Sequence, residues 1–375
     1  MEANERPTPH RHDLAALQAE ARSLRLIDGD ELHAVDLDHN PLNTITGSIV
    51  RLAWDGGAAV RKVITPHGEG AEHWAASQDP TAWNFWRREI LAYRTDLPTR
   101  LGLDAPALLG AVDFDDGSVA LWLEAVEGTS GDAIGVAGLA GAARAIGRAQ
   151  APPSTADDPW LSQGFIADYA ASKPADHGLF DDDHAWAHPL VARNWSPAVR
   201  AGCAQLWHQR HRLHAILAAL PRRVCHLDLW PNNVVVRPSG SPALLDWSFV
   251  GDGALGEDIG NLVPDAVLDL LVPAAAIDGL ERAVFAGYLE GLRGGGWEGP
   301  EELVRLAMTA SAVKYHWLAP TFLARCDAPV HYAYGRETDP DVLYAERGVA
   351  LERLADWGAE ALRLADELGV AVATS

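Results

Sequence analysis

The first third of the chain alternates apolar and polar residues at a period of two, after an opening segment with helical spacing. The opening segment predicts an amphipathic helix over residues 13–26, with an apolar face made of Leu14, Leu17, Ala21 and Leu24. The alternating stretches predict three strands, at residues 32–37, 49–54 and 58–64. The last two flank an Asp-Gly-Gly sequence, which is a strong turn signal, and we expect them to form a β-hairpin.

The rest of the chain is patterned mainly as helices, with one further hairpin among them. Apolar periodicity or small-residue composition predicts helices at residues 133–149, 206–220, 303–318 and 345–368. Two short apolar runs, Val234–Val236 and Ala243–Leu245, flank a turn cluster rich in Pro, Ser and Gly. A strand-rich first part and a mainly helical remainder indicate an α+β fold.

Three oxygen-bearing side chains are expected to converge at the open end of this second hairpin. Asn233 and Asp246 lie symmetrically about its turn, so antiparallel pairing brings them to the same end. Asp228 lies five positions before Asn233, in a loop stiffened by Pro231. Hard oxygen ligands of this kind suit a Mg²⁺ ion that is bound mainly through a phosphate substrate.

The same stretch resembles the catalytic loop of the protein-kinase-like fold. The residues His226-Leu227-Asp228, Asn233 and Asp246-Trp247 match its H-x-D-x-x-x-x-N loop and its metal-binding aspartate. Pro-x-Asn before the strand and Asp-Trp in place of Asp-Phe-Gly resemble the aminoglycoside phosphotransferase family and its small-molecule kinase relatives. A polar loop between core strands would not explain why these residue types stand at the offsets that phosphoryl transfer uses.

The resemblance implies a two-lobed fold, with a small antiparallel-sheet lobe and a larger, mainly helical lobe. Residues 1–125 would form the nucleotide-binding lobe, and residues 126–375 the lobe with the catalytic loop. Residues 151–200, rich in Pro, Asp, His and Trp, would be the insertion that binds the acceptor. The acidic run Asp181–Asp183 allows two interpretations, contacts to substrate amino groups or a solvated helix cap, and the cap is favoured.

A buried lysine–glutamate pair is predicted in the small lobe. Lys62 lies on the second strand of the first hairpin, and Glu89 falls on the apolar stripe of a helix predicted over residues 83–97. A carboxylate on a buried face needs a cation, because burial of an unpaired charge is costly. Lys62 is the expected partner, as in the pair that orients phosphates in kinases. The alternative places Glu89 at the helix rim beside Arg88.

Further nucleotide contacts follow from the resemblance alone. The segment containing Thr46, Gly47 and Ser48 occupies the place of the phosphate-covering loop, although its single glycine departs from the G-x-G-x-x-G of protein kinases. A plain turn between strands would have the same sequence. Glu124 and Val126 fall at the inter-lobe hinge, where backbone N–H and C=O groups would bind the adenine edge.

The resemblance also implies the remaining roles around the catalytic loop. Asp228 would be the catalytic residue that orients the acceptor hydroxyl and takes its proton, while Asn233 and Asp246 would hold Mg²⁺. His226 and Asp258 would support the loop. The chain has no Ala-Pro-Glu motif, which argues against a protein substrate.

Amino-acid composition limits the binding partners and the cellular compartment that we expect for this protein. With 375 residues, 48% of them hydrophobic and 22% charged, the chain can bury a core and is not disordered. The net charge of −22 argues against nucleic acid or an anionic membrane as a partner. It would attract a cationic substrate, although solubility explains it more simply. Three widely spaced cysteines, and no apolar stretch typical of a signal peptide or membrane span, favour the cytoplasm.

The sequence therefore predicts a phosphotransferase that uses ATP or GTP and Mg²⁺ to phosphorylate a hydroxyl of an aminoglycoside-like or other antibiotic. A metabolic kinase for a sugar, amino sugar, choline-like alcohol, homoserine or fructosamine is an alternative, because the acceptor pocket lies in the variable insertion. A non-catalytic nucleotide-binding regulator is an alternative of another class. The complete set of Lys62, Asp228, Asn233 and Asp246 argues against it.

Overall fold

The chain folds into a small lobe with an antiparallel sheet and a larger helical lobe, as the sequence predicts. The computed structural model describes residues 13–29, 31–40, 42–153 and 157–370. The expectation of no apolar targeting segment at residues 1–12 falls outside the described residues, as do residues 154–156 of the predicted insertion. In the described ranges, no helix is long and apolar enough to cross a membrane.

The small lobe is built on five antiparallel strands. Its helices and strands, in chain order, are α1 (Leu14–Ser23), β1 (His33–Asp36), β2 (Thr46–Trp54), β3 (Gly57–Ile64), α2 (Arg88–Arg94), α3 (Leu97–Arg100), β4 (Leu108–Asp113) and β5 (Val119–Glu124). The sheet has the order β1-β2-β3-β5-β4, so the predicted hairpin β2–β3 lies at its centre.

Helix α1 covers the outer face of this sheet. Leu17 and Ala21 pack with buried residues of β2, β3 and β5 in a small separate core. Glu20 of the same helix accepts a hydrogen bond from Arg61 Nε at 2.8 Å. Arg61 and Lys62 therefore point to opposite faces of β3, as the two-residue period of a strand requires. Lys62 is left to face the cleft between the lobes.

The larger lobe is mainly helical. Its first half contains β6 (Thr129–Ser130), α4 (Gly135–Gln150), α5 (Phe165–Ala171), α6 (Asp183–Trp186), α7 (Pro189–Asn194), α8 (Pro197–His208) and α9 (Arg210–Ala219). Its second half contains β7 (Arg222–Cys225), β8 (Val234–Val236), β9 (Pro242–Leu244), β10 (Gly251–Ala254), α10 (Glu257–Leu268), α11 (Ile277–Gly294), α12 (Glu301–Ala310), α13 (Leu318–Leu323), β11 (Tyr332–Ala333), β12 (Arg336–Glu337) and α14 (Pro340–Glu367).

Helix α2 is shorter than the sequence predicts. The apolar stripe indicates a helix over residues 83–97, but α2 ends at Arg94, and α3 follows Asp96, whose φ is +53°. The residues before α2 form turns. They turn because Trp83 packs across the lobes against Tyr169 of α5, with ring centroids 5.3 Å apart. Burial of this ring stabilises the fold more than one further turn of helix would, because a single turn contributes little stability on its own.

Helices α4 and α11 approach each other closely through glycine. A Cβ atom on Gly147 would overlap the Tyr288 carbonyl oxygen, and one on Gly291 would overlap the Arg144 carbonyl oxygen. This close contact positions Gln150 at the end of α4, whose Nε2 donates to Asp258 Oδ2 at 2.8 Å. The small-residue composition of this helix predicts such packing, and the structure confirms it.

We expect Gly147→Ala to lower the free energy of unfolding by about 1–3 kcal/mol, because overpacking a tight helix contact has that cost. Gly141→Ala in the same helix is the matched control. A Cβ at Gly141 meets no atom within 4 Å. Its higher helix propensity should raise stability by about 0.5–1 kcal/mol. Denaturant unfolding of both variants measures the difference, and equal stabilities would contradict the proposed close contact.

Candidate active site

The second hairpin brings two of the predicted metal ligands to one end. Strand β8 pairs with β9 in a register that sets Val234 opposite Leu244. The Leu245 N–H donates to the Asn233 carbonyl at 2.8 Å, so Asn233 lies opposite Leu245, one residue away from the predicted partner. Asp246 follows this pair with a φ of +56°. Both residues still lie at the open end of the hairpin, which confirms the expected placement.

The catalytic loop joins Asp228 directly to Asn233. Asn233 Nδ2 donates to Asp228 Oδ2 at 2.8 Å and to the Asp228 carbonyl at 2.9 Å. Burial and the negative charge of Asp246 raise the pKa of Asp228 to about 7, against the opposing charge of Lys314. Asn233 thus contacts Asp228 directly and lies opposite Leu245, the residue before Asp246, so the loop and the end of the hairpin meet at Asn233.

Asp258 holds the backbone of the catalytic loop in place through hydrogen bonds. Its carboxylate accepts hydrogen bonds from the N–H groups of His226 at 3.1 Å and of Leu227 at 2.8 Å. Leu227 has a φ of +66°, an unfavourable conformation for a non-glycine residue. The two bonds to a fully buried carboxylate offset that cost. The role of Asp258 in supporting catalysis stays a prediction.

His226 ties the catalytic loop to the end of the hairpin. Its Nε2 donates to the Leu245 carbonyl at 2.9 Å, and its ring lies edge-on to Trp247 with centroids 4.9 Å apart. Burial lowers the pKa of His226, which favours the neutral ring. The side chain thus contacts structural groups, which agrees with the prediction of a supporting residue.

Lys62 and Glu89 form the buried pair that the apolar stripe predicts. Lys62 Nζ lies 2.6 Å from Glu89 Oε2 and 3.1 Å from Asp246 Oδ2. Burial acts against the charged lysine, but Asp246 and Glu89 outweigh it and raise the pKa of Lys62. The alternative, Glu89 at the helix rim, is excluded because the residue is only 3% exposed. The pair links the small lobe to the metal-binding end of the hairpin.

Ser248 orients the Asp246 carboxylate, a contact that the sequence does not reveal. Ser248 stands where protein kinases have glycine, and its Oγ donates to Asp246 Oδ1 at 2.6 Å. Burial would raise the pKa of Asp246, but Lys62 and the Ser248 hydroxyl outweigh it and lower the pKa. Each oxygen of this carboxylate therefore has a partner that keeps it ionised.

Arg88 is a second residue that sequence reasoning misses. Its side chain is fully buried, although the sequence places it beside Glu89 as a rim residue. The guanidinium donates five hydrogen bonds to backbone carbonyls, those of Pro80, Ala82, Trp83, Trp160 and Ser248. These bonds fasten the start of α2 to the larger lobe and to the residue that orients Asp246.

The hinge residues follow β5. The Glu124 N–H donates to the Ala107 carbonyl at 2.9 Å, so it is not available to an adenine base. The Glu124 carboxylate lies 2.6 Å from Arg237 Nη1, and Arg237 Nε lies 2.7 Å from Asp104 Oδ2. This ion-pair group joins the hinge to the end of β8. The roles of Glu124 and Val126 in adenine binding otherwise stay predictions.

Thr46, Gly47 and Ser48 do not form a loop, and this prediction of their secondary structure is wrong. They begin β2, and the register shifts between Thr46 and Ser48. Thr46 and Ser48 pair with Ile64 and Val63 of β3, while Gly47 lies at the shift, where a Cβ atom would approach Val63 to 3.3 Å. The connection between β1 and β2 lies before them. Whether these three residues contact phosphate stays a prediction.

The predicted insertion is helical and carries the acidic run as a cap. Asp182 Oδ1 accepts hydrogen bonds from the N–H groups of His184 at 2.8 Å and Ala185 at 3.4 Å, at the start of α6. Asp183 pairs with Arg200 at 2.6 Å. The interpretation of this run as a helix cap is confirmed.

A tyrosine from the short β11–β12 hairpin also reaches this cleft. Tyr334 lies edge-on to Trp230 of the catalytic loop, with ring centroids 4.5 Å apart. Burial and the charges of Asp228 and Asp246 raise the pKa of Tyr334 to about 12. No sequence pattern marks Tyr334, because its contact spans more than a hundred residues of chain.

The oxygen atoms at the end of the hairpin fit a Mg²⁺ ion held together with nucleotide phosphates. The side-chain nitrogen of Asn233 donates a hydrogen bond to Asp228, so the Asn233 Oδ1 atom is left to bind a metal ion. The Asp246 side chain is 32% exposed and therefore open to the cleft. Mg²⁺ commonly uses one or two protein ligands and completes its shell with phosphate and water. Within the ranges that the structure describes, no group of three or more His, Cys, Asp or Glu residues could hold a metal alone.

The two lobes and the cleft residues between them define the protein-kinase-like class of folds. The profile of the phosphotransferase enzyme family (APH) matches residues 31–303. The chain belongs to this family, as the motif around Asp228 predicts. No curated protein matches the chain.

The chain is similar to solved phosphotransferases. A choline kinase from Cryptosporidium parvum Iowa II aligns with a TM-score of 0.50 and 13% identity, over 96% of this chain and 98% of that chain. The aminoglycoside phosphotransferase APH(3'')-Id from Streptomyces rimosus aligns with a TM-score of 0.43 and 17% identity, over 80% and 98%. At such identities the likeness shows the fold alone.

Proposed function

We propose that this protein transfers the γ-phosphate of ATP or GTP, in the presence of Mg²⁺, to a hydroxyl group of a small molecule. One observation carries the proposal: Asp228, Asn233, Asp246, Lys62 and Glu89 meet at a single point of the cleft. These are the residue types that phosphoryl transfer needs, since the reaction depends on positioning and on charge stabilisation.

Each side chain has a separate task in this reaction. The nucleotide with its Mg²⁺ supplies the phosphoryl group and neutralises part of its charge when bound. Asn233 Oδ1 and Asp246 would hold the ion, and Lys62, fixed by Glu89, would bind the phosphates. Asp228 would orient the acceptor hydroxyl and take its proton late, because alignment matters more than basicity in a loose transition state. Its Oδ1 is the oxygen left free by Asn233.

A non-catalytic nucleotide-binding regulator would not need this arrangement. The bond from Asn233 to Asp228 orients a carboxylate that has no role in nucleotide binding alone. A complete set of phosphate, metal and acceptor residues therefore favours an enzyme. The acceptor is a hydroxylated small molecule, either an antibiotic or a metabolite such as a sugar, amino alcohol or hydroxy acid.

The test is release of ADP or GDP across a panel of hydroxylated antibiotics, sugars, amino alcohols and hydroxy acids. We expect one chemical class to give turnover that Asp228→Asn lowers at least about 100-fold, since a positioned general base contributes about that much. Nucleotide affinity should stay unchanged in the variant, because Asp228 contacts the acceptor. Turnover that is undiminished in Asp228→Asn would contradict the assignment.

A further inference from the structure

Lysine is rare in this chain, and all of its lysines are buried near the active site. Of the 30 lysine and arginine residues, only three are lysines, Lys62, Lys173 and Lys314. They are 6%, 8% and 4% exposed, respectively. Arginine provides the other 27 cations, including those of the surface ion pairs. A lysine kept in such a chain indicates a site that needs a compact ammonium rather than a planar guanidinium.

Lys173 is the lysine whose charge has no anionic partner. Its ammonium lies 3.6 Å from the ring centroid of Tyr169, 4.0 Å from that of Trp74 and 5.4 Å from that of Trp83. Among the described residues, no carboxylate lies within ion-pair distance of it and no acceptor forms a hydrogen bond with it. Trp317 adds a fourth ring at 5.7 Å, and aromatic faces stabilise a cation without neutralising it. The ammonium can therefore bind a further, anionic group.

The rings around the Lys173 ammonium contact the segment that follows Asp246: the ring of Phe249 lies 6.2 Å from that of Trp74 and 5.8 Å from that of Trp83. Burial and the charge of Lys314 lower the pKa of Lys173 to about 7, while Asp228 opposes them. Lys62, in contrast, is occupied by Glu89 and Asp246 on the nucleotide side. Lys173 follows α5 in the insertion that is predicted to bind the acceptor, so it lies on the side of the cleft where the acceptor is expected.

Of the two acidic groups on this side, Asp265 has a cation of its own and Asp269 is disfavoured as an anion by burial. Asp265 lies 3.6 Å from Lys314 Nζ. Burial and Asp265 raise the pKa of Asp269 to about 7, and Arg347 and Arg336 act against this shift. A cationic acceptor would thus meet one carboxylate that is already paired and one whose charged form is disfavoured by burial. The charge left without a counterion here is the positive one on Lys173.

We infer that the acceptor carries an anionic oxygen group, such as a carboxylate, near the hydroxyl that is phosphorylated, and that Lys173 binds this group. The inference rests on the proposed function and narrows its acceptor to hydroxy acids. Burial strengthens this contact, because the attraction between an ammonium and a carboxylate is stronger in a poorly solvated site than in water. The rings of Tyr169 and Trp74 hold the ammonium in place, so little side-chain entropy is lost on binding.

Two matched series of small molecules test the inference. Glycerate, glycerol and 3-aminopropane-1,2-diol differ in charge and keep a hydroxylated frame, as do glucuronate, glucose and glucosamine. Binding to the protein with Mg²⁺ and a non-hydrolysable ATP analogue is measured by calorimetry. We expect the anionic member of at least one series to bind about tenfold or more tightly than its neutral counterpart. Lys173→Met should abolish this preference, and Lys173→Arg should retain part of it.

The scarcity of lysine permits a second, direct readout. Protein labelled with [6-¹³C]lysine gives three side-chain NMR signals, which single Lys→Met variants assign. The Lys173 signal should shift on addition of the anionic member and stay in place with the neutral one. Arg293→Met is the matched control, since it also removes a cation from a tryptophan face, 4.8 Å from the ring of Trp297, at an exposed position. It should change neither binding nor the spectrum.

Three results would overturn the inference. One is equal or weaker binding of both anionic members compared with their neutral counterparts. Another is an unchanged anion preference in a folded Lys173→Met variant. The third is a fall in kcat of that variant that is equal for anionic and neutral acceptors with unchanged affinities, because Lys173 would then act on the transferred phosphoryl group. Anion binding through Lys173 without any turnover of any acceptor would instead reject the proposed function, and only the anion contact of Lys173 would remain.

Discussion

Asp246→Asn is expected to lower the rate of phosphoryl transfer at least about 100-fold while the protein remains folded. The substitution keeps the shape of the side chain and removes the charge that would hold Mg²⁺ and that also pairs with Lys62. Loss of one preorganised electrostatic contact at a reacting phosphate typically has an effect of this size. Lys62 retains Glu89 as a partner, so the buried ammonium is not left alone. Initial rates of ADP formation over a range of Mg²⁺ concentrations measure the loss.

Asp252→Asn is the matched control for this prediction. Asp252 lies on β10, shortly after the hairpin, and its exposed carboxylate pairs with Arg222 at 2.9 Å. The same chemical change there should leave both the rate and its Mg²⁺ dependence unaltered, because exposed ion pairs contribute little. Equal effects of the two substitutions would remove Asp246 from the metal site.

Arg88→Met is expected to lower the free energy of unfolding by about 3–5 kcal/mol, one of the largest effects of any single substitution in this chain. The reason is that five backbone carbonyl oxygens, two in buried and three in partly buried contacts, lose the Arg88 donor at once. Methionine fills most of the volume of the arginine stem but donates no hydrogen bond. Denaturant unfolding, with an unchanged m-value, measures the loss of stability.

The neighbouring Arg87→Met serves as the control. Arg87 is exposed, and its guanidinium lies over the ring of Trp86 at 4.7 Å from the centroid. We expect a change within about 1 kcal/mol, the range of an exposed cation–π contact. If both variants lose the same stability, the bonds of Arg88 to the carbonyls do not hold the lobes together.

The parts of this site that the sequence predicts share one property: they follow from local spacing. The turn between Val236 and Pro242 decides which residues meet at the open end, so Asn233 and Asp246 could be placed to within one residue. The pairing of Lys62 with Glu89 follows because a carboxylate on an apolar stripe requires a cation, and the chain has few lysines to offer.

The parts that the sequence does not predict depend on contacts between distant segments. Arg88 appears in the sequence as a rim residue, and only the turns over residues 80–83 and the carbonyls of Trp160 and Ser248 make its burial favourable. The rings around Lys173 come from residues that lie about a hundred positions apart. Thr46 to Ser48 were indistinguishable from a loop because a register shift leaves no residue pattern of its own.

The five hydrogen bonds of Arg88 also restrict the movement of helix α2. Protein kinases are commonly switched off by swinging the helix that carries the glutamate of the lysine pair. Here the corresponding helix, α2, begins at Arg88, so a swing would withdraw the guanidinium from the Trp160 and Ser248 carbonyls of the larger lobe. We expect α2 to keep the same position with and without bound nucleotide.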